Sequence, residues 1–388
     1  MDLVDRYLLL GLRLGRHVDG FVDFYYGPPE HAATVTGEEP SEPAALASEA
    51  ERLLEALAGD GAAPWLLDQV RGLRAYAGVL AGEPVGYSDE VERCYGVRPV
   101  HTPEQSFIAA HSRLEALLPA GGALGDRYEA WRQSQVVPPE LLGEALARLL
   151  PLLRARTAAI VELPAGEAVE VELVSGEPWL AFNYYLGGLR SRIAVNTALP
   201  FSAVEVLDLV AHEAYPGHHT EHACKEASLV RARGRLEESA AFLSTPQALV
   251  SEGIAMLGCE LALDSETMAA AARIFAGLGV RFDPAAAKAV TEAYEPLALV
   301  AGNVALMIHE DGATREEAVA YIRRWRLVSE ARASHSVDFV TDPTWRAYVT
   351  TYAQGLRLCR AYAGADPRVF ARLLTEQVPV ADLAAAGA

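Results

Sequence analysis

The feature that most constrains the fold of this chain is the segment His-Glu-Ala-Tyr-Pro-Gly-His-His at residues 212–219. In a helical His-Glu-x-x-His motif the two histidines lie one turn apart and can bind the same metal ion. Here the place of the second histidine holds Pro216, which removes a hydrogen bond to the carbonyl of His212 and crowds it. In an unbroken helix His219 would lie about 10 Å further along the axis. The backbone must therefore bulge or bend here if two of these histidines share one ion.

Three side chains are the candidate metal ligands. If Pro216 and Gly217 loop out of the helix, His218 takes the place of the second ligand beside His212, and His219 in that place is the alternative. Glu252 is the candidate third ligand, because its face of the predicted helix is otherwise apolar and a buried carboxylate needs a partner or a metal ion. Two histidines and a carboxylate favour Zn²⁺, and Mn²⁺, Fe²⁺ or Co²⁺ suit the same ligand types.

The residue after the first histidine is a candidate catalyst. Glu213 would act as the general base, taking a proton from a water molecule whose pKa the ion lowers and passing it to a leaving amine. His219 is predicted to point into the same cleft as a second catalytic side chain. These residues predict a metal-dependent hydrolase that cleaves short peptides. The alternatives are a hydrolase of a non-peptide amide or other small molecule, and a helical protein that binds a metal or a peptide without catalysis.

Composition excludes several classes of partner. The net charge of −19 repels phosphate backbones and anionic lipids, so neither a nucleic acid nor a membrane is expected as a partner. The four cysteines form no Cys-x-x-Cys pair, which predicts a reduced, cytoplasmic protein. No signal peptide is recognised at the N-terminus, and no apolar run reaches the roughly 18 residues that a membrane span needs. The oligomeric state is left open.

The distribution of apolar residues predicts a mainly α fold. Helices are expected at residues 2–26, 44–58, 64–81, 103–118 and 138–162, and three strands within 167–197 should form a small antiparallel sheet. The capping box Ser202–Glu205 starts the helix that carries the motif. Further helices are predicted to start at Thr245, Asp283, Thr314 and Asp342. The predicted organisation is a helical half at 1–165 and a catalytic half at 166–388 within one continuous unit.

The predicted third strand supplies candidate substrate-binding residues. If residues 191–196 form an edge strand, an extended peptide could pair with it. Arg190 and Arg192 would then hold a substrate carboxylate, as in an exopeptidase, with surface arginines as the alternative. Asn196 and Tyr185 complete the predicted set, and aromatic packing in the core is the alternative for Tyr185.

These pieces resemble the bacterial domain-of-unknown-function 885 family, which is placed near the zinc metallopeptidases that combine a His-Glu motif with a downstream glutamate. Residues 212–219 resemble its His-Glu-x-x-Pro-Gly-His-His signature, and 251–256 resemble its Glu-Gly-Trp-Ala segment, with Ile254 where the family has an aromatic residue. The resemblance covers roughly 180–362. It implies a zincin-like (gluzincin-like) helical body with a small sheet beside the active-site helix, a metallopeptidase-like half at 166–388, and Tyr352 as a donor to the developing oxyanion.

Overall fold

The computed structural model describes residues 2–61, 63–177, 179–198 and 200–387. The chain is mainly helical, as predicted. The helices are α1 (Leu3–Leu14), α2 (Pro29–Gly37), α3 (Pro43–Asp60), α4 (Pro64–Leu80), α5 (Tyr87–Tyr95), α6 (Glu104–Leu117), α7 (Leu124–Gln133), α8 (Pro139–Ala158), α9 (Ala203–Glu213), α10 (His218–Lys225), α11 (Pro246–Ala262), α12 (Ser265–Gly277), α13 (Pro284–Tyr294), α14 (Val300–His309), α15 (Arg315–Arg326), α16 (Glu330–Thr341), α17 (Val349–Ala363), α18 (Pro367–Thr375) and α19 (Val380–Ala386). A π-helical turn (Glu226–Arg231) and two 3-10 turns (Leu236–Ser239 and Glu295–Leu299) complete the helical elements of these ranges.

Two small sheets accompany the helices in the described part of the chain. Their strands are β1 (Val22–Tyr25), β2 (Ala168–Val174), β3 (Ala181–Gly187), β4 (Arg190–Asn196) and β5 (Ala240–Phe242). β1 and β5 form an antiparallel pair, and the other three strands are ordered β2-β4-β3.

The prediction of a purely antiparallel three-stranded sheet is wrong. β3 and β4 form an antiparallel hairpin, but β2 pairs in parallel with β4. The chain reverses direction twice between β2 and β4, so these two strands run the same way when they lie side by side. β4 is consequently the central strand, and the predicted edge position of residues 191–196 is wrong as well.

The predicted first helix is too long. α1 ends at Leu14, and the chain enters β1 at Val22 after Gly20, whose φ of 78° does not fit a helix. The strand forms because it pairs with β5, which lies more than 200 residues further along the chain. β1 and β5 thus join segments on both sides of the expected boundary between the two halves.

Most of the predicted helix starts in the second half are confirmed. The capping box of Ser202 and Glu205 is present at α9, and α11, α13 and α15 begin directly after Thr245, Asp283 and Thr314. No helix begins at Asp342, where the chain forms turns until α17. Among the described helices, none combines the length and apolar character that crossing a bilayer would require.

Close packing of α11 against α17 positions one side of the site. A Cβ atom added at Gly253 would lie 2.4 Å from the carbonyl oxygen of Gly355, so the two helices approach backbone to backbone. On the other side, α9 buries Val206, Leu207 and Val210 in an apolar core shared with β4 and α8. Burial of this face holds the motif helix rigidly against the sheet.

Candidate metal centre

The helix that carries the motif breaks at the Pro-Gly pair. α9 ends at Glu213, α10 begins at His218, and the Tyr215–Pro216 peptide bond is cis. The amide of Gly217 donates to the carbonyl of Ala211 at 2.9 Å, six residues back instead of the four of an α-helix. Two extra residues are therefore accommodated in this turn, and the predicted loop-out is confirmed.

Only glycine fits at the centre of this loop. A Cβ atom at Gly217 would lie 1.7 Å from the carbonyl oxygen of His212 and 2.7 Å from that of Ala211. Such distances are far inside van der Waals contact, so any larger residue would push the loop away from α9. The close approach is what returns His218 to the level of His212.

His212, His218 and Glu252 come together as a cluster that could hold a metal ion. One potential ligand atom from each lies within 4.8 Å of the others. His212 Nε2 is 3.4 Å from Glu252 Oε2, His218 Nε2 is 3.8 Å from Glu252 Oε1, and the two imidazole rings lie edge to face with centroids 4.7 Å apart. Of the two alternatives for the second histidine, the geometry brings His218 to this position.

The glutamate of the cluster fits a cation better than it fits its present neighbours. Glu252 is buried, and its Oε1 accepts a hydrogen bond from the Tyr348 hydroxyl at 2.6 Å. Its Oε2 is also buried but accepts no hydrogen bond from the described residues. A buried carboxylate oxygen without a donor is costly, and a metal ion would satisfy it. The donor set of two imidazoles and one carboxylate suits Zn²⁺.

A buried chain of polar groups orients His218. The Ser251 hydroxyl donates to Glu221 at 2.5 Å, and Glu221 also accepts from the Lys225 ammonium at 2.7 Å. Because the proton of Ser251 is used in this way, its oxygen accepts from His218 Nδ1 across 3.2 Å. The proton then sits on Nδ1, and the lone pair of Nε2 faces the cluster, as a metal ligand requires.

The potential at the cluster favours positive charge. Burial lowers the pKa of His212, but the close contacts with Cys259 and Glu252 and the charges of Glu252 and Glu213 outweigh it and hold this pKa well above its usual value. These surroundings stabilise a cation bound to His212, whether it is a proton or a metal ion.

The candidate general base lies in the same cleft as the cluster. Glu213 is half-buried and lines a cavity of about 590 Å³ together with His212, His218 and Glu252. Glu213 and His212 also line a second cavity of about 870 Å³. Glu213 is therefore part of the walls of both cavities.

Two tyrosines lie beside the cluster. Tyr352 lines both cavities. Sequence reasoning missed Tyr348, which packs edge to face against Tyr352 and donates to Glu252. The four-residue spacing of the two tyrosines, with Tyr348 at the N-cap position of α17, was the available signal.

His219 lies outside this cleft. Its side chain is fully buried, and its two ring nitrogens contact Ser191 Oγ at 2.8 Å and Glu167 Oε2 at 2.9 Å. Glu167 also accepts from the Tyr215 hydroxyl and from Arg154. The structure thus corrects the placement of His219 among the catalytic residues, because α10 turns consecutive side chains about 100° apart and this one faces the sheet.

The two arginines of the predicted substrate site are also outside the cleft. Arg190 pairs with Glu170 and Arg192 pairs with Glu172, both across the parallel β2–β4 contact on an exposed face of the sheet. Arg192 also lies over the ring of Tyr184, with 4.6 Å to its centroid. Neither guanidinium is free to anchor a substrate carboxylate in this arrangement.

The remaining two predicted substrate residues have structural contacts. The amide of Asn196 donates to the backbone carbonyls of Glu177 and Trp179. Tyr185 is buried and donates to Glu226 at 2.6 Å. The alternative of core packing is the one that the geometry favours for Tyr185.

Asp23, Asn183 and His222 also line the cleft, and the sequence analysis did not place them in the site. His222 contacts Phe24 and Tyr185, and burial lowers its pKa to about 3. Asn183 donates to the backbone carbonyl of Glu213 at 2.6 Å. Asp23 belongs to β1, which the sequence analysis assigned to a helix, so no local pattern pointed to it.

Comparison with known proteins establishes a fold and no activity. No protein-family model and no curated protein matches this chain. One similar solved structure is "the putative lipoprotein from Colwellia psychrerythraea", with 18% identity and a TM-score of 0.56 over 92% of this chain and 61% of that one. Another is "a putative lipoprotein of unknown function from Shewanella oneidensis", with 15% identity and a TM-score of 0.52 over 92% and 75% of the two chains. At these identities the likeness shows a shared fold, and this chain spans about three fifths of the first protein.

Proposed function

We propose that this protein is a metal-dependent hydrolase that cleaves short peptides and uses zinc. The observation that carries the proposal is the convergence of His212, His218 and Glu252 at the floor of a cleft that Glu213 also lines. The unpartnered Oε2 of Glu252 supports a cation at this point. The signature at 212–219 supports placing the chain in the domain-of-unknown-function 885 family.

The residues of the cleft divide the chemistry among them. A bound zinc ion supplies Lewis acidity, which polarises the scissile carbonyl and makes a water molecule more acidic. Glu213 accepts the proton of that water and delivers it to the leaving amine. Tyr352 donates a hydrogen bond to the oxyanion that develops on the carbonyl. Ser251 and Tyr348 hold His218 and Glu252 in place through the hydrogen bonds described above.

The edge of the three-stranded sheet offers a place for an extended substrate. β3 is an edge strand of that sheet, and its residues 181–184 line the cleft next to the cluster. Backbone pairing along such an edge suits a peptide more than it suits a compact small molecule. This favours peptides over the alternative of a non-peptide amide. The position of Glu213 in the cleft favours catalysis over metal binding alone.

The first experiment measures metal and turnover together. Purified protein should bind close to one zinc ion per chain, and a digest of a peptide library should show zinc-dependent cleavage. Glu213→Gln should lower the turnover about 10³-fold while the protein keeps its ion, because the variant loses only proton transfer. The matched control is Glu266→Gln on the exposed face of α12, which should keep both. Failure to take up metal, or full activity of Glu213→Gln, would contradict the proposal.

A cytoplasmic location remains a prediction. It is supported by the four cysteines, all of which are free thiols in the structure. Cell fractionation of the natural host tests it. Recovery in a membrane or extracytoplasmic fraction would contradict it.

A further inference from the structure

The described walls of the cleft, the cavity of about 590 Å³, carry several carboxylates but no lysine or arginine side chain. Its carboxylates belong to Asp23, Glu213, Glu252, Asp338 and Asp342. An anionic ligand would be repelled here, whereas a cationic one would be attracted.

Four of these five carboxylates already have a role or a partner. Glu252 and Glu213 belong to the metal cluster and its base. Asp338 pairs with Arg315 at 2.7 Å, and Asp342 accepts from the backbone amide of Thr344 at 2.8 Å. Asp23 is the carboxylate of this cleft that is left to explain.

Asp23 lies at a β-bulge. In the β1–β5 pair, Val22 is opposite Phe242 and Phe24 is opposite Ala241, so the register shifts across Asp23. Bulges of this kind redirect a side chain and are frequent beside active sites. The result is that Asp23 lines the cleft next to the cluster although it comes from the start of the chain.

The charged side chains that act on Asp23 are acidic. Burial raises its pKa to about 7, and the other contributions come from Glu252, Glu213 and Glu221, all of which are acidic. Two amide side chains that line the same cavity, those of Asn183 and Gln247, each have a buried carbonyl oxygen with no hydrogen-bond partner in the described structure. These oxygens add acceptors to a wall that already carries five carboxylates, which complements a donor-rich, positively charged group.

We propose that Asp23 binds an ammonium group of the substrate, the free α-amino group of a short peptide. This inference rests on the proposed hydrolase function and names the substrate class of that site. It replaces the prediction of a carboxylate anchor, because Arg190 and Arg192 lie outside the cleft, paired with glutamates. The ammonium donates to the Asp23 carboxylate, and this charge-assisted contact orients the substrate.

The second cavity accepts the rest of the peptide. It shares the lining residues His212, Glu213 and Tyr352 with the first cavity, and its own wall is largely apolar. Its apolar side chains include Val204, Leu209, Met256, Leu263 and Met268. A peptide whose amino terminus is held at Asp23 would cross the cluster and extend into this cavity, so we expect cleavage close to the amino terminus.

Binding to an inactive enzyme tests the inference. In zinc-loaded Glu213→Gln protein, calorimetry would compare a tripeptide that has a free amino terminus with its N-acetylated form. The free form should bind about 10- to 100-fold more tightly, as expected for one hydrogen-bonded charge pair. Adding Asp23→Asn should bring this ratio close to one. Adding Asp19→Asn is the matched control, since Asp19 is exposed and does not line the cleft; it should preserve the ratio.

The outcomes separate this inference from the proposed function. Equal binding of the two forms, or a ratio that survives Asp23→Asn, overturns the inference even if the wild-type enzyme cleaves both peptides. An Asp23-dependent preference in a zinc-loaded protein that cleaves neither peptide supports ammonium binding and contradicts the hydrolase. An N-acetylated peptide with a lysine side chain distinguishes the source of the ammonium. Asp23-dependent tight binding of that peptide overturns the assignment to the α-amino group.

Discussion

The consecutive residues His218 and His219 meet a carboxylate in two different ways. His218 faces the cleft, where Glu252 keeps one oxygen without a hydrogen bond from any described residue. His219 faces the sheet, where Glu167 is saturated by His219, Tyr215 and Arg154. One carboxylate oxygen of Glu252, beside His218, lacks a donor among the described residues, whereas both oxygens of Glu167, beside His219, accept hydrogen bonds. The comparison teaches that a histidine next to a carboxylate indicates a metal site only when the remaining lone pairs are unsatisfied.

The loop at Pro216 and Gly217 fixes the positions of both histidines, so a change in this loop should have the largest effect. Gly217→Ala would place a Cβ atom 1.7 Å from the His212 carbonyl oxygen and displace α10. We expect the free energy of unfolding to fall by more than about 3 kcal/mol and zinc binding to be lost. Chemical denaturation and metal analysis measure the two effects.

The control for the loop is Gly59→Ala. Gly59 lies in α3 with no atom within 4 Å of an added Cβ, and alanine there should stabilise the protein by up to about 1 kcal/mol. If Gly217→Ala were as stable as this control and bound zinc normally, the loop would not be what positions the two histidines.

Replacing His218 and His219 one at a time separates the metal-binding role of the first from the structural role of the second. His218→Ala removes a ligand, so we expect zinc affinity to fall by more than about 100-fold, the upper range seen when only an outer contact is lost. The metal-free protein should unfold almost as before. His219→Ala should keep the metal but lose about 2–4 kcal/mol of stability, because Glu167 loses a buried partner. The reverse pattern of losses would show that the assignment of the two roles is wrong.

The pH dependence of the free energy of unfolding tests the role of Glu167, the carboxylate beside His219. Burial raises the pKa of Glu167, but hydrogen bonds from His219, Tyr215 and Arg154 outweigh it and lower the pKa to about 2. A carboxyl group with a lowered pKa in the folded state contributes stability above its unfolded value, near 4.5, and loses it as the pH falls toward 2. At neutral pH this contribution is about 3 kcal/mol.

Glu167→Gln should therefore be least stable, relative to the wild type, at neutral pH. The difference in unfolding free energy should narrow by about 2 kcal/mol between pH 5 and pH 3, which urea denaturation at several pH values can follow. A constant difference over this range would mean that the carboxylate charge of Glu167 contributes nothing.

Local chemistry made the centre of the site predictable. The steric conflict of Pro216 with the His212 carbonyl, together with the freedom of Gly217, was enough to predict the loop and the move of His218 into place. An apolar helix face was enough to single out Glu252. These inferences needed only residues within one or two helical turns of each other.

The walls of the cleft were not predictable in the same way. Val22–Tyr25 forms a strand only because β5 lies beside it, so the position of Asp23 depends on a pairing across more than 200 residues. The parallel pairing of β2 placed β4 in the centre of the sheet and turned Arg190 and Arg192 toward glutamates. Sequence spacing contains no information on either choice of partner.

The pairing of β1 with β5 also limits how this molecule can be divided. A fragment that starts at residue 166 would leave Ala240–Phe242 with an open row of backbone donors and acceptors, buried in the intact protein. Such an exposed apolar edge invites self-association. Any shortened version intended for crystallisation or laboratory evolution should therefore retain β1, the strand that pairs with this edge.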